Sequence, residues 1–152
     1  MKYTVVERPE MRVVGITVRT TNRNDQFMQD IPNAWNRFRE ENIFDKIPYK
    51  KTDEVLGVYL DYEEDYTKPY TLLIGCEVTE TNGLYEGLTQ KTIPASKYAL
   101  IRPQGKFPQC LIEAWEKVWD SDLPRRYSAD IEIYGKDLES VPPDLNLLIS
   151  LR

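Results

Sequence analysis

Two short stretches, Ala34-Trp35-Asn36-Arg37-Phe38 and Ala114-Trp115-Glu116-Lys117-Val118, share an alanine, then a tryptophan, then a large apolar residue three positions on. Each belongs to an apolar stripe at helical spacing. Ile31, Trp35 and Phe38 form the first stripe; Leu111, Trp115, Val118 and Trp119 form the second. Strand-like segments flank both helices in the same order. Residues 12–19 alternate and are rich in valine ahead of the first helix, and 55–62 and 70–78 follow it. Residues 97–102 precede the second helix, and 127–134 and 145–151 follow it. This repeated order is the strongest constraint on the fold, because each unit brings one amphipathic helix and three strands whose apolar faces need a common core. The expectation is an α+β fold of duplicated βαββ units, with a mostly antiparallel sheet, two helices and a ligand groove between the halves. A chain of 152 residues suits one domain spanning 1–152, with pseudo-repeats at about 1–80 and 91–152.

Local signals set the boundaries. Asp30-Ile31-Pro32 reads as a helix start, with Asp30 as cap and Pro32 in the first turn, and the helix fades near Glu41 and Asn42. Pro108 opens the second helix, the acidic Glu63-Glu64-Asp65 segment is a turn between strands, and Pro142-Pro143 separates the last two strands. Laying one half over the other sets Gly57-Val58-Tyr59 against Glu132-Ile133-Tyr134. Strand alternation puts Ile131 and Ile133 on one face, and Asp130, Glu132 and Tyr134 on the other. A carboxylate therefore lies within an apolar strand, where its counterpart in the other half is a glycine. That asymmetry suits a cleft with room on one side and a charge on the other. A buried carboxylate without a partner is costly, and an incoming organic cation relieves the cost.

The remaining composition excludes several functions. A net charge of −5 and a pI of about 4.9, with no long basic run, oppose direct nucleic-acid binding. No helix-turn-helix pattern precedes the first strand. Histidine is absent, which removes histidine triads, histidine bases and histidine metal ligands. No metal and no cofactor are expected. The two cysteines, Cys76 and Cys110, follow no pairing pattern and read as free thiols in a reducing compartment. With neither a membrane-spanning run nor a secretory leader, a cytoplasmic location is expected.

Five pieces of the chain carry a resemblance to a known family. They are Gly57-Val58-Tyr59-Leu60-Asp61-Tyr62-Glu63, Tyr70-Thr71-Leu72-Leu73-Ile74-Gly75, Ile93-Pro94-Ala95-Ser96-Lys97-Tyr98-Ala99, Glu113-Ala114-Trp115, and residues 126–134. In this order and spacing the chain resembles the GyrI-like effector-binding domains, which also occur attached to AraC-type and MerR-type regulators, and within them the stand-alone integron-associated effector-binding proteins. The resemblance implies a duplicated βαββ fold with an aromatic-lined groove, and a strand carboxylate near the C-terminus that contacts lipophilic cations. That carboxylate falls on Glu132. The usual aromatic before it is Ile131 here, and a direct transcription-factor role is not expected.

These observations select Glu132, Trp115, Tyr134, Tyr98, Tyr59 and Gly57 as ligand-binding candidates. All but Gly57 have a plainer alternative. Glu132 is otherwise an exposed strand residue, or pairs with Arg125, Arg126 or Lys97. Trp115 is otherwise helix core, and the tyrosines otherwise pack in the sheet. Glu116 points about 100° from Trp115 around the helix, toward solvent. The acidic group Asp61, Glu63, Glu64 and Asp65 reads as a solvated loop, and Arg125-Arg126 as a surface or carboxylate-pairing pair. The expected function is binding of a hydrophobic, cationic aromatic small molecule in an aromatic pocket with a buried glutamate. The alternatives are a hydrolase of electrophilic small molecules with the same glutamate as general base, and a protein-interaction inhibitor acting on a topoisomerase. No membrane partner is expected, and any protein partner is unknown.

Overall fold

The chain opens with β1 (Thr4–Arg8), and valine-rich alternation carries it through the longer β2 (Met11–Thr20), whose β-branched side chains suit a pleated surface. The computed structural model describes residues 1–84 and 86–152. After β2 come α1 (Phe27–Glu40), the one-turn α2 (Ile43–Lys46), β3 (Val55–Leu60) and β4 (Tyr70–Val78). The second half runs through β5 (Thr89–Ile93), β6 (Ser96–Ile101), α3 (Gln109–Trp119), β7 (Ala129–Tyr134) and β8 (Leu145–Leu151). The fold is α+β, with one eight-stranded sheet in the order β1-β6-β8-β7-β3-β4-β2-β5. Every strand pairing in it is antiparallel. Exchanging β1 with β5, β2 with β6, β3 with β7 and β4 with β8 reverses this order onto itself. The centre of the order is the β3–β7 pair, and there Gly57 stands directly opposite Glu132.

The sheet buries both faces by different means. On one face α1 packs Ala34 and Phe38 against Val14, Ile16, Leu72 and Ile74. On the same side α3 packs Ala114 and Val118 against Ala99, Ile101 and Ile149. The other face has no helix. Its side chains, among them Val13, Val58, Leu73, Tyr98, Ile131 and Leu148, bury one another. A flat sheet cannot do this, so the sheet coils around that strand-only core.

Several boundaries differ from expectation for identifiable reasons. Helix α1 begins at Phe27 rather than after Asp30, so Asp30 is not its cap. Asp30 instead lies in the first turn, where a negative charge suits the helix dipole, and accepts a 2.9 Å hydrogen bond from Gln26 Nε2. Pro32 accordingly sits inside the helix rather than at its opening. Strand β3 stops at Leu60 because Asp61 turns into left-handed backbone at φ +51°, and β7 starts only at Ala129 because Tyr127 does so at φ +58°. The one-turn α2 and the edge strands β1 and β5 were not expected. Among the described residues, no helix is long and apolar enough to cross a membrane.

Candidate functional site

Alternation along β7 decides which side chains meet the helices. Ile131 and Ile133 enter the strand-only core, leaving Glu132 to face the helices, where it is only 2 % exposed. Trp115 Nε1 donates to Glu132 Oε2 at 2.8 Å, and the Tyr59 hydroxyl donates to the same oxygen at 3.1 Å. The Tyr134 hydroxyl donates to Oε1 at 2.6 Å. None of the ion pairs among the described residues includes Glu132. Hydrogen bonds to a charged group contribute about 1.5–3 kcal/mol each, which offsets a desolvation penalty of several kcal/mol for a buried carboxylate. Burial pushes the Glu132 carboxyl above the usual carboxylate range, while the bonds from Tyr134, Trp115 and Tyr59 pull it back. Burial, reinforced by the Glu132 charge, raises the Tyr59 and Tyr134 hydroxyls well above the ordinary phenol value, so both act as donors at neutral pH.

Gly57 explains how the carboxylate fits. A Cβ at this position would lie 2.9 Å from Glu132 Oε1, 3.5 Å from Trp35 Cζ2 and 3.7 Å from Tyr134 Cε2. The space opened by the missing side chain is the seat of the carboxylate itself. The two tryptophans stand on either side of this pair. Trp35 meets Tyr134 edge to face with ring centroids 5.0 Å apart, and Trp115 meets Tyr59 in the same manner at 5.3 Å.

A cavity of about 470 Å³ opens on the Trp115 side of Glu132, within the roughly 300–1,000 Å³ range of small-molecule sites. Its walls come from the start of α1 through Phe27 and Ile31, from α3 through Leu111, Trp115 and Trp119, and from Tyr59 and Tyr70 on the sheet. Tyr62 and Tyr66, in the segment between β3 and β4, close one side. Met28 and Ile112 are 63 % and 50 % exposed at the same cavity, which gives it an apolar rim.

A second buried polar group adjoins the first. Asp130 is 0 % exposed and Arg125 5 %. Arg125 Nη2 donates to Asp130 Oδ2 at 2.8 Å, and the Tyr62 hydroxyl donates to the same oxygen at 2.7 Å. Asp130 Oδ1 accepts from the Ser150 backbone N–H at 2.9 Å and from its hydroxyl at 3.3 Å. Burial lowers the Arg125 pKa, but Asp130, Tyr62 and Tyr127 together outweigh it and the net direction is upward, so the guanidinium stays charged.

The candidates chosen from sequence separate into three groups. Tyr59 and Trp115 line the cavity beside Glu132. Gly57 and Tyr134 touch the carboxylate from behind, outside the lining. Tyr98 is 1 % exposed in the strand-only core and reaches neither the cavity nor Glu132. Glu116 is exposed, as its helical position requires, and lies at the cavity edge. Lys97 and Arg126 are exposed, while Arg125 is buried on Asp130. Sequence reasoning passed over Tyr62, Tyr66, Tyr70, Trp119 and Arg125 as cavity residues. Trp119 was visible as part of the α3 stripe, but the tyrosines follow no periodicity that points to a common site.

A family model described as integron-associated effector binding protein matches residues 4–151. The chain is 26% identical to an integron cassette protein from the mobile metagenome of Vibrio cholerae, with a TM-score of 0.77 over 99% of this chain and 95% of that one. It has the fold of a protein solved bound to tetraphenylphosphonium, with a TM-score of 0.80 and 18% identity over 99% and 93% of the two chains. A bacterial transcription regulation protein from Staphylococcus aureus shares the fold at a TM-score of 0.77 and 17% identity, over 100% and 99% of the chains. No curated protein matches the chain significantly.

Proposed function

The chain belongs to the family of integron-associated effector binding proteins, and on that premise we propose that it binds a hydrophobic, cationic aromatic small molecule in the cavity between α1 and α3. One observation carries this reading: a carboxylate 2 % exposed, held by three neutral donors and paired with no cation among the described residues, opens onto an aromatic cavity. A bound cation supplies the missing counter-charge, and its affinity is tied to ionisation of Glu132. Tyr59 and Trp115 contact the ligand, with each well-placed cation–π contact contributing about 0.5–2 kcal/mol. Tyr134 and Gly57 position the carboxylate. A related fold is known bound to tetraphenylphosphonium, which makes that ion a suitable probe here. The palindromic strand order and the matched Trp35–Tyr134 and Trp115–Tyr59 contacts also support an origin of the domain by duplication of one unit.

Thermal unfolding with tetraphenylphosphonium and with the neutral triphenylphosphine oxide tests the site. Stabilisation chiefly by the cation is expected. Equal stabilisation by both removes charge selection from the account, and none by either removes the cavity. The raised Glu132 carboxyl also favours a second reading, in which it serves as general base toward an electrophilic ligand. Product formed from such a ligand and abolished in Glu132→Gln supports catalysis; unchanged ligand recovered from the protein supports binding.

A further inference from the structure

The aromatic rings at and beside the cavity form a circuit that joins the surroundings of Glu132 to Arg125. From Tyr59, beside Glu132, one arc runs to Trp115 at 5.3 Å, on to Trp119 at 6.3 Å, and then to the stacked Tyr66 at 6.1 Å. The other arc runs from Tyr59 to Tyr70 at 5.8 Å, to Tyr62 at 5.6 Å and to Tyr127 at 5.5 Å. The Arg125 guanidinium closes the circuit, 5.8 Å from the Tyr66 ring and 4.3 Å from the Tyr127 ring. Glu132 and Arg125 both line the cavity, Arg125 reaching it through its place on Asp130, the next residue along the same face of β7.

Arg125 carries more donors than the protein uses. Its side-chain partner is Asp130, reached through Nη2, while Nε and Nη1 are buried without an acceptor. Asp130 cannot readily take more, because it already accepts from Tyr62 and twice from Ser150. A buried donor without an acceptor is destabilising, and the faces of neighbouring rings compensate only weakly. Tyr66, half-buried and stacked on Trp119, lines the cavity with its ring 5.8 Å from the guanidinium. Arg125 itself is part of the cavity lining.

We propose that Arg125 is an acceptor-binding subsite, so that the favoured ligands are amphipathic aromatics with a cationic centre toward Glu132 and a carboxylate, or a comparably strong acceptor, toward Arg125. This subsite presupposes that the cavity is the ligand site. It distinguishes the chain from a site that selects for positive charge alone.

Rhodamine 6G and rhodamine 19 share one xanthylium cation and differ in an ethyl ester against a free carboxylate. The wild-type protein is expected to bind rhodamine 19 at least about tenfold more tightly, the factor supplied by one modest charge-assisted hydrogen bond. Combining Arg125→Met with Asp130→Asn removes both buried charges together, avoiding an unpaired carboxylate in the core, and is expected to bring the affinity ratio to about one. In the wild type, the Arg125 Nε–H resonance should shift with rhodamine 19 and stay in place with rhodamine 6G. Equal binding of both dyes by the wild type, or an unmoved resonance with rhodamine 19 bound, overturns the subsite and leaves the cavity reading intact. Binding of neither dye overturns both.

Discussion

Tyr134→Phe isolates the electrostatics of Glu132 from the shape of the cavity. The Tyr134 hydroxyl is the one donor to Glu132 Oε1 among the described residues, at 2.6 Å, and Tyr134 does not line the cavity. Phenylalanine keeps the ring against Trp35, where the centroids are 5.0 Å apart. The variant therefore removes one hydrogen bond to a charged acceptor, a contribution of about 1.5–3 kcal/mol. At 1.36 kcal/mol per pKa unit, the Glu132 carboxyl should rise by a further one to two units or so. The sign follows from which protonation state binds. A cation needs the ionised carboxylate, so its affinity falls on the acid side of the Glu132 pKa, and losing a donor moves that limb to higher pH. Calorimetric titration with tetraphenylphosphonium, whose charge does not titrate, from about pH 5 to about pH 9 should show the limb displaced upward by about one to two units, with similar affinity above it. A limb that stays in place, or moves toward acid, refutes control of binding by Glu132 ionisation.

Gly57→Ala sets a methyl group 2.9 Å from Glu132 Oε1, so the carboxylate must give way; the expected result is a stability loss of about 1–3 kcal/mol in denaturant, with weaker cation binding. Arg125→Met strands Asp130 in the core and should cost about 3–5 kcal/mol by the same measurement, more than the combined Arg125→Met and Asp130→Asn exchange. Stability against pH carries the signature of Glu132 itself. Because its folded-state pKa is raised, its stabilising contribution is full below the unfolded value and is lost as pH rises through the folded one. Glu132→Gln should therefore gain melting temperature relative to the ligand-free wild type as pH rises from acid to neutral, and a constant difference would contradict a raised carboxyl.

The parts of the fold legible in the sequence are those that bury an apolar face. The α1 and α3 stripes around Trp35 and Trp115, and the strands pairing with them, announce themselves by period. The edge strands do not. Thr4-Val5-Val6-Glu7-Arg8 and Thr89-Gln90-Lys91-Thr92-Ile93 are largely exposed or half-buried, so little in their composition demands a strand, and they form by completing the ladders of β6 and β2. At the site, Glu132 was legible because a charge among isoleucines needs an explanation, and Gly57 because it occupies the matching place. That the two stand directly opposite each other comes from the register of β3 on β7, which the sequence does not state. Tyr98 misled because a phenol on a strand reads the same on either face; alternation with Ala99 and Ile101, which face α3, turns it into the other core. Tyr62 and Tyr66 escaped because the chain turns at Asp61, and only the three-dimensional return brings Tyr62 onto Asp130 and Tyr66 beside Trp119 and Arg125.

The most direct test of Glu132 as counter-charge is the affinity of wild type and Glu132→Gln for tetraphenylphosphonium and for triphenylphosphine oxide, measured by calorimetry at neutral pH. Loss of the carboxylate charge should weaken the cation by about tenfold or more and change the neutral compound by less than about threefold. Equal losses for the two compounds, or an undiminished affinity for the cation, would contradict it.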